Sequence, residues 1–183
     1  ISKYTKLQSL TAFLVFGSLF FMADYVVVLL GDKYTNTDSI LKVLSFTILI
    51  QFLISIYFAP LISWKQEKKV VFANLIGLIL NIILNIVLIP KYGMYGSAFA
   101  TILCEFGVLV SIIIIFKKVH AKIYLKEIVQ FVPILMLSFL PIYFVSDYLS
   151  PILRIISSTV LYFGMSLALK VLSISELKSL IKR

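Results

Sequence analysis

The sequence predicts an all-α fold, a polytopic membrane helical bundle with six spans. Composition is the first reason: 61% of the 183 residues are apolar and only 14% charged, with a mean hydropathy of +1.08. A soluble domain carries about 25% charge, so a water-facing shell cannot be assembled from this chain. Layout is the second: the apolar residues fall into runs at roughly 9–30, 39–63, 70–89, 94–116, 128–145 and 152–172. A hydrocarbon core of about 30 Å needs about 20 helical residues, and only the fifth run, of about 18, falls short of that while staying within the spanning range. Open strands are excluded, because unpaired backbone groups cannot face lipid. Charge is the third reason, since basic residues collect in alternate joints between the runs.

Taken in order, the first run follows a stretch with Lys3, Tyr4 and Lys6 and lacks the layout of a signal peptide. The chain begins at Ile1 without an initiator Met, which suggests a piece of a longer polypeptide. The polar stretch from Gly31 to Asp38 reads as a turn, with Asp38 or Ser39 capping the second helix. Pro90 is expected to stop the third helix and Gly93 to permit a tight reversal into the fourth. Ser150 and Pro151 read as N-cap and first residue of the sixth. Pro60, Pro133 and Pro141 lie near or inside helices, where each frees a carbonyl and favours a kink.

The charge count by joint is uneven. Lys3 and Lys6 precede the first run; Lys65, Lys68 and Lys69 oppose Glu67 in the second joint; Lys117, Lys118, Lys122 and Lys126 oppose Glu127 in the fourth. The tail has Lys178, Lys182 and Arg183 against Glu176, whereas the other joints hold Asp32, Lys33 and Asp38, then Lys91, then Asp147. This alternation predicts that both chain ends face the cytoplasm, in a multi-pass protein of the inner (cytoplasmic) membrane. Trp64, Tyr92, Tyr95, Tyr124, Tyr143 and Tyr148 sit near helix ends, as interfacial aromatics do. The net charge of +9, from 17 basic and 8 acidic residues, does not indicate nucleic acid, because no recognition motif accompanies it. Cys104 stands alone in an apolar run, so neither a disulfide nor a thiolate metal site follows.

Polar residues inside the runs are the candidates for function. Asn74, Asn81 and Asn85 project within about 40° of one another, with Gly77 on nearly the same side. That face must meet protein or water, either as interhelical glue worth about 0.6–2 kcal/mol per amide or as part of a transport path. Ser97, Thr101, Cys104, Glu105 and Ser111 form a stripe on the fourth helix, and Gln51 lies at the middle of the second. Gln51, Asn81 and Glu105 are therefore expected at one depth, as a polar cluster drawn from three helices. Glu105 has three candidate roles: a titrating group that couples protons or sodium to transport, a counter-charge for a partner helix, or a protonated donor to an amide. Asp24 sits outward of its helix centre. Lys42 and Arg154 lie near outward ends, where they snorkel to the interface or contact an anion. His120 is the sole histidine and sits in a lysine-rich joint; with no carboxylate pair, ligand cluster or Gly-rich phosphate loop, no enzyme, catalytic residue, metal or cofactor is expected.

Asn81, Leu84, Asn85, Leu88, Ile89, Pro90, Gly93, Gly96, Ala98, Ala100 and Thr101 form a pattern that resembles the polysaccharide biosynthesis transporters of the oligosaccharide flippase type. These belong to the superfamily that also holds multidrug and lipid II exporters. Leu30-Gly31-Asp32-Lys33-Tyr34 resembles the family's outward turn, and Ile40-Leu41-Lys42-Val43-Leu44 the start of its next helix. The resemblance covers roughly residues 10–116. It implies the C-terminal lobe of a 12 to 14 helix flippase, with residues 1–116 as a four-helix part and 117–183 as the final two transmembrane helices and a cytoplasmic tail. The activity implied is movement of an isoprenoid-diphosphate-linked oligosaccharide across the cytoplasmic membrane by alternating access, with membrane lipids and an N-terminal lobe as partners. A cation-coupled multidrug exporter and a non-transporting scaffold are the alternatives.

Overall fold

The apolar runs become rods. The structure, a computed structural model, describes residues 2–30, 37–119, 123–144, 150–169 and 171. The Gly31 to Tyr34 turn, His120, Lys122, Asp147, Tyr148 and the charged tail lie outside the described residues. The helices are α1 (Ser2–Phe21), α2 (Ala23–Leu30), α3 (Asp38–Ser63), α4 (Glu67–Val119), α5 (Leu125–Val129), α6 (Phe131–Phe144) and α7 (Pro151–Ala168). Of these, α3 and α4 are long and apolar enough to cross a membrane by length and composition. The first run starts earlier than its hydropathy suggests and is interrupted at Met22, whose carbonyl still accepts from Val26 N–H at 3.1 Å. The fifth is interrupted at Gln130, which donates to the Lys126 carbonyl at 3.3 Å.

The third and fourth runs form one element folded back on itself. Inside α4 the non-helical residue is Gly93, at φ 55 and ψ −130, and it divides the element into arms 67–92 and 94–119. The arms meet in antiparallel order: Leu88 faces Gly96, Asn81 faces Cys104, Leu80 faces Gly107 and Gly77 faces Val108. Pro90 does not stop the helix, contrary to the expectation from sequence; it lies inside the first arm. Its ring fixes φ near about −65°, a helical value, whereas reversal needs the positive φ that glycine supplies without strain.

The helix starts are also specific. Thr37, and not Asp38 or Ser39, occupies the N-cap position of α3; it makes no side-chain cap bond, and Asp38 opens the helix. Asp38 Oδ2 lies 3.4 Å from Lys42 Nζ, one turn along, and its charge also suits the positive end of the helix dipole. Ser150 caps α7 as expected, accepting from Leu153 N–H at 3.4 Å, and Pro151 is the first helical residue.

Packing centres on α1, which touches α3, α5, α6 and α7, while α4 joins the bundle through α3. The core is rich in aromatic rings. Tyr57 and Phe116 meet edge to face with centroids 4.9 Å apart, Trp64 lies 5.6 Å from Phe116, and Phe139 presses on Gly17. Tyr162 is buried and donates to the Leu10 carbonyl at 3.0 Å, tying α7 to α1. Of the expected interfacial aromatics, Trp64 and Tyr124 pack inward, while Tyr92, Tyr95 and Tyr143 are exposed.

Charge separates along the rods. Ser2 Oγ donates to Glu127 at 3.1 Å, Tyr4 and Trp64 share a recess, and Lys68, Lys69 and Lys118 share a groove. Lys3, Lys6, Lys65, Lys68, Lys69, Lys117, Lys118 and Lys126 therefore gather at one end. Asp24, Asp38, Lys42, Lys91 and Arg154 stand at the other.

The hairpin yields a stability test. Gly93→Ala should lower unfolding free energy by about 1–3 kcal/mol through backbone strain. Gly96→Ala should also destabilise, because its new methyl would meet the Leu88 carbonyl. Gly164→Ala, with nothing within 4 Å, should be neutral or stabilising by up to about 1 kcal/mol. Equilibrium unfolding in detergent micelles, followed by circular dichroism, measures all three.

Candidate functional site

An open cleft of about 240 Å³ lies between α3 and the two arms of α4. Gln51 enters from α3, Asn74 and Asn81 from the first arm, and Cys104 and Glu105 from the second; Ile54, Gly77, Leu78 and Val108 complete the walls. Helical periodicity puts Asn74, Gly77, Leu78 and Asn81 on one face of the first arm. The hairpin then sets that face beside Cys104, Glu105 and Val108. Gly77 has no side chain, so Val108 closes against the backbone there. Gln51, Asn81 and Glu105 each lie within roughly two residues of the middle of their helix or arm, about 14 Å or more from either end.

Part of this polar set is satisfied internally. Asn81 Nδ2 donates to Cys104 Sγ at 3.4 Å, and the thiol donates to the Thr101 carbonyl at 3.1 Å. Asn85 Nδ2 reaches the Asn81 carbonyl at 2.9 Å and its Oδ1 at 3.0 Å, while the buried Asn85 Oδ1 has no hydrogen-bond partner. Gln51, Asn74 and Glu105 make no hydrogen bond or ion pair with the described residues. Gln51 and Asn74 are exposed and Glu105 is half-buried, so water or a further polar partner can reach all three.

Other candidates lie elsewhere. Thr101 Oγ1 donates to the Ser97 carbonyl at 2.9 Å, and neither residue lines the cleft. Ser111, which sequence placed on the same stripe, borders a separate groove. Asp24 is at the far end of the bundle, its carboxylate 3.8 Å from Lys42. Lys42 thus stands between Asp24 and Asp38, its ammonium reaching back toward the start of α3. Arg154 is only 6% exposed, with its guanidinium 4.3 Å from the centroid of the Tyr25 ring. Two nearby carboxylates hold the ammonium locally, and a flat, weakly hydrated guanidinium gains from an aromatic face.

Cys104 is a free thiol, as expected, and its hydrogen bond from Asn81 is what sequence reasoning missed. The signal was available: the two residues stand almost equally far on either side of Gly93, so a hairpin pairs them. Among the described residues, no cluster of His, Cys, Asp and Glu could hold a metal ion.

No family profile matches the chain. No solved structure matches it either. A curated protein described as an uncharacterized membrane protein, from Methanocaldococcus jannaschii, is 27% identical over 170 residues, which is 90% of this chain and 34% of the relative. The chain thus spans about a third of the length of the relative it matches. With the two long apolar helices, this similarity supports the character of a membrane protein.

The cleft separates structural from unpartnered polar groups. Asn81→Leu should destabilise the fold by about 1 kcal/mol or more, because it removes acceptors and donors used by Asn85 and Cys104. Glu105→Gln should change stability by less than about 0.5 kcal/mol. Unfolding titrations of the two variants in one detergent make the comparison.

Proposed function

We propose that this chain is the C-terminal part of a membrane transporter that moves an isoprenoid-diphosphate-linked oligosaccharide from the cytoplasmic to the outer leaflet by alternating access. The observation that carries the reading is the cleft, in which unpartnered Gln51 and Glu105 stand at mid-length of otherwise apolar rods and unpartnered Asn74 lies nearer the lysine-rich end. In hydrocarbon each such group is costly, so a water-filled path or a second lobe must cover that face. Six spans follow when α1 with α2, α3, the two arms of α4, α5 with α6, and α7 are each taken as a crossing. The lysine-rich end then faces the cytoplasm. A mid-membrane site between a rod and a helical hairpin suits rocking of one bundle against another. The resemblance around Asn81 to Thr101 points to the superfamily, and the Gly31 to Tyr34 turn with the Pro90 to Gly96 connection favours its flippase branch. The relative's length, about three times the matched stretch, leaves room for another lobe.

The unpartnered Glu105 carboxyl is equally compatible with a second reading, a cation-coupled drug exporter. A scaffold is less favoured, since its polar faces would be satisfied within the bundle.

Two measurements test the proposal. In membranes, cysteines placed at Gln51 and Asn74 in a Cys104→Ser background should react with a charged, lipid-insoluble thiol reagent, and one at Ile82 should not. Equal, negligible labelling at all three positions would remove the water-filled path. In vesicles holding the intact transporter, flipping of a fluorescent lipid-linked oligosaccharide should depend on a pH or sodium gradient, and Glu105→Gln should abolish that dependence. Uptake of a cationic dye in place of the glycolipid would select the exporter.

A further inference from the structure

A second concavity, of about 490 Å³, lies between the arms of α4 at the lysine-rich end. Phe72, Ile76, Ile114 and Ile115 form its walls. Its hydroxyl, Ser111 Oγ, already donates to the Gly107 carbonyl at 2.8 Å, so the depth of the groove is effectively apolar. Lys68, Lys69 and Lys118 stand at the mouth. All three are exposed, no carboxylate lines the groove, and none of them has an ion-pair partner among the described residues.

Position separates this groove from the polar cleft. At about 100° per residue, Phe72 and Ile76 project roughly opposite to Asn74, whose side of the hairpin faces α3. The groove therefore opens away from the bundle, toward the surrounding bilayer in the proposed placement. Its chemistry has two parts arranged along the rod: ammonium groups at the level of the headgroups and apolar walls below them.

We propose that this groove binds an anionic phospholipid of the leaflet on the lysine-rich side, with its phosphate among Lys68, Lys69 and Lys118 and an acyl chain between the arms. A neutral apolar occupant would leave converging positive charges unopposed. A soluble anion would leave the apolar walls uncovered. A lipid of net negative charge answers both, and each lysine near an anionic surface adds to the attraction. The site rests on the membrane placement proposed above and does not depend on transport.

The test uses the purified chain in detergent micelles, with native mass spectrometry counting bound lipid. Phosphatidylglycerol and phosphatidylcholine with identical acyl chains are compared, and inorganic phosphate serves as the headgroup alone. Phosphatidylglycerol should bind about tenfold or more tightly than phosphatidylcholine, with inorganic phosphate weaker still. The triple variant Lys68→Gln, Lys69→Gln, Lys118→Gln should weaken phosphatidylglycerol by about tenfold or more, whereas Lys3→Gln with Lys6→Gln, at the same end, should not. Ser111→Trp, which fills the groove and keeps the lysines, should also displace the lipid. Equal affinity for the two lipids, retention by the triple variant, or retention by Ser111→Trp would each overturn the site alone. A chain that is monodisperse in plain buffer would overturn the membrane placement and the site with it.

Discussion

Close approach of two helical arms about Gly93 is the constraint on which the rest of the structure depends. A reversal this tight needs a residue at positive φ, and the arms beyond it need small residues where they cross. Gly96 admits the Leu88 carbonyl, Gly77 admits Val108 and Gly107 admits Leu80. Larger side chains at these points would push the arms apart. Asn81 would then lose Cys104, and the cleft would open into a shapeless gap.

The same hairpin creates two surfaces of opposite character. Toward α3 it presents amides, a thiol and a carboxyl around a cleft of about 240 Å³. Away from α3 it presents apolar walls ending in lysines. Periodicity alone separates them, because residues two apart on a helix project to nearly opposite sides. Polar groups near the centre of an apolar rod are tolerated where they face one another or water, and the internal bonds of Asn81, Asn85 and Cys104 satisfy only some of them. Gln51, Asn74 and Glu105 are what remain for a ligand, an ion or a neighbouring lobe.

Much of the architecture was legible in the chain. Helix was forced by apolar runs near spanning length, the reversal by a glycine after Pro90, and the start of α7 by the Ser150-Pro151 pair. The grouping of Gln51, Asn81 and Glu105 followed from their mid-rod positions once an antiparallel path was assumed. Legibility stopped where neighbours compete. Lys42 and Arg154 were placed near outward ends, but their partners Asp24 and the Tyr25 ring come from another segment that their own runs do not reveal. Ser97, Thr101 and Ser111 read as one stripe with Glu105, yet Thr101 and Ser111 bond carbonyls of their own helix and leave the cleft to others.

By itself, the sequence determined an all-helical, largely uncharged chain with its lysines sorted between runs, because composition and local periodicity act within single segments. Tertiary structure decided that α3 lies against the α4 hairpin, that Asn81 meets Cys104, that Arg154 is stacked and buried, and that Lys68, Lys69 and Lys118 share one groove. Those outcomes depend on how rods rotate and cross. Rotation is set by side-chain contacts between segments far apart in the chain, which no single run encodes.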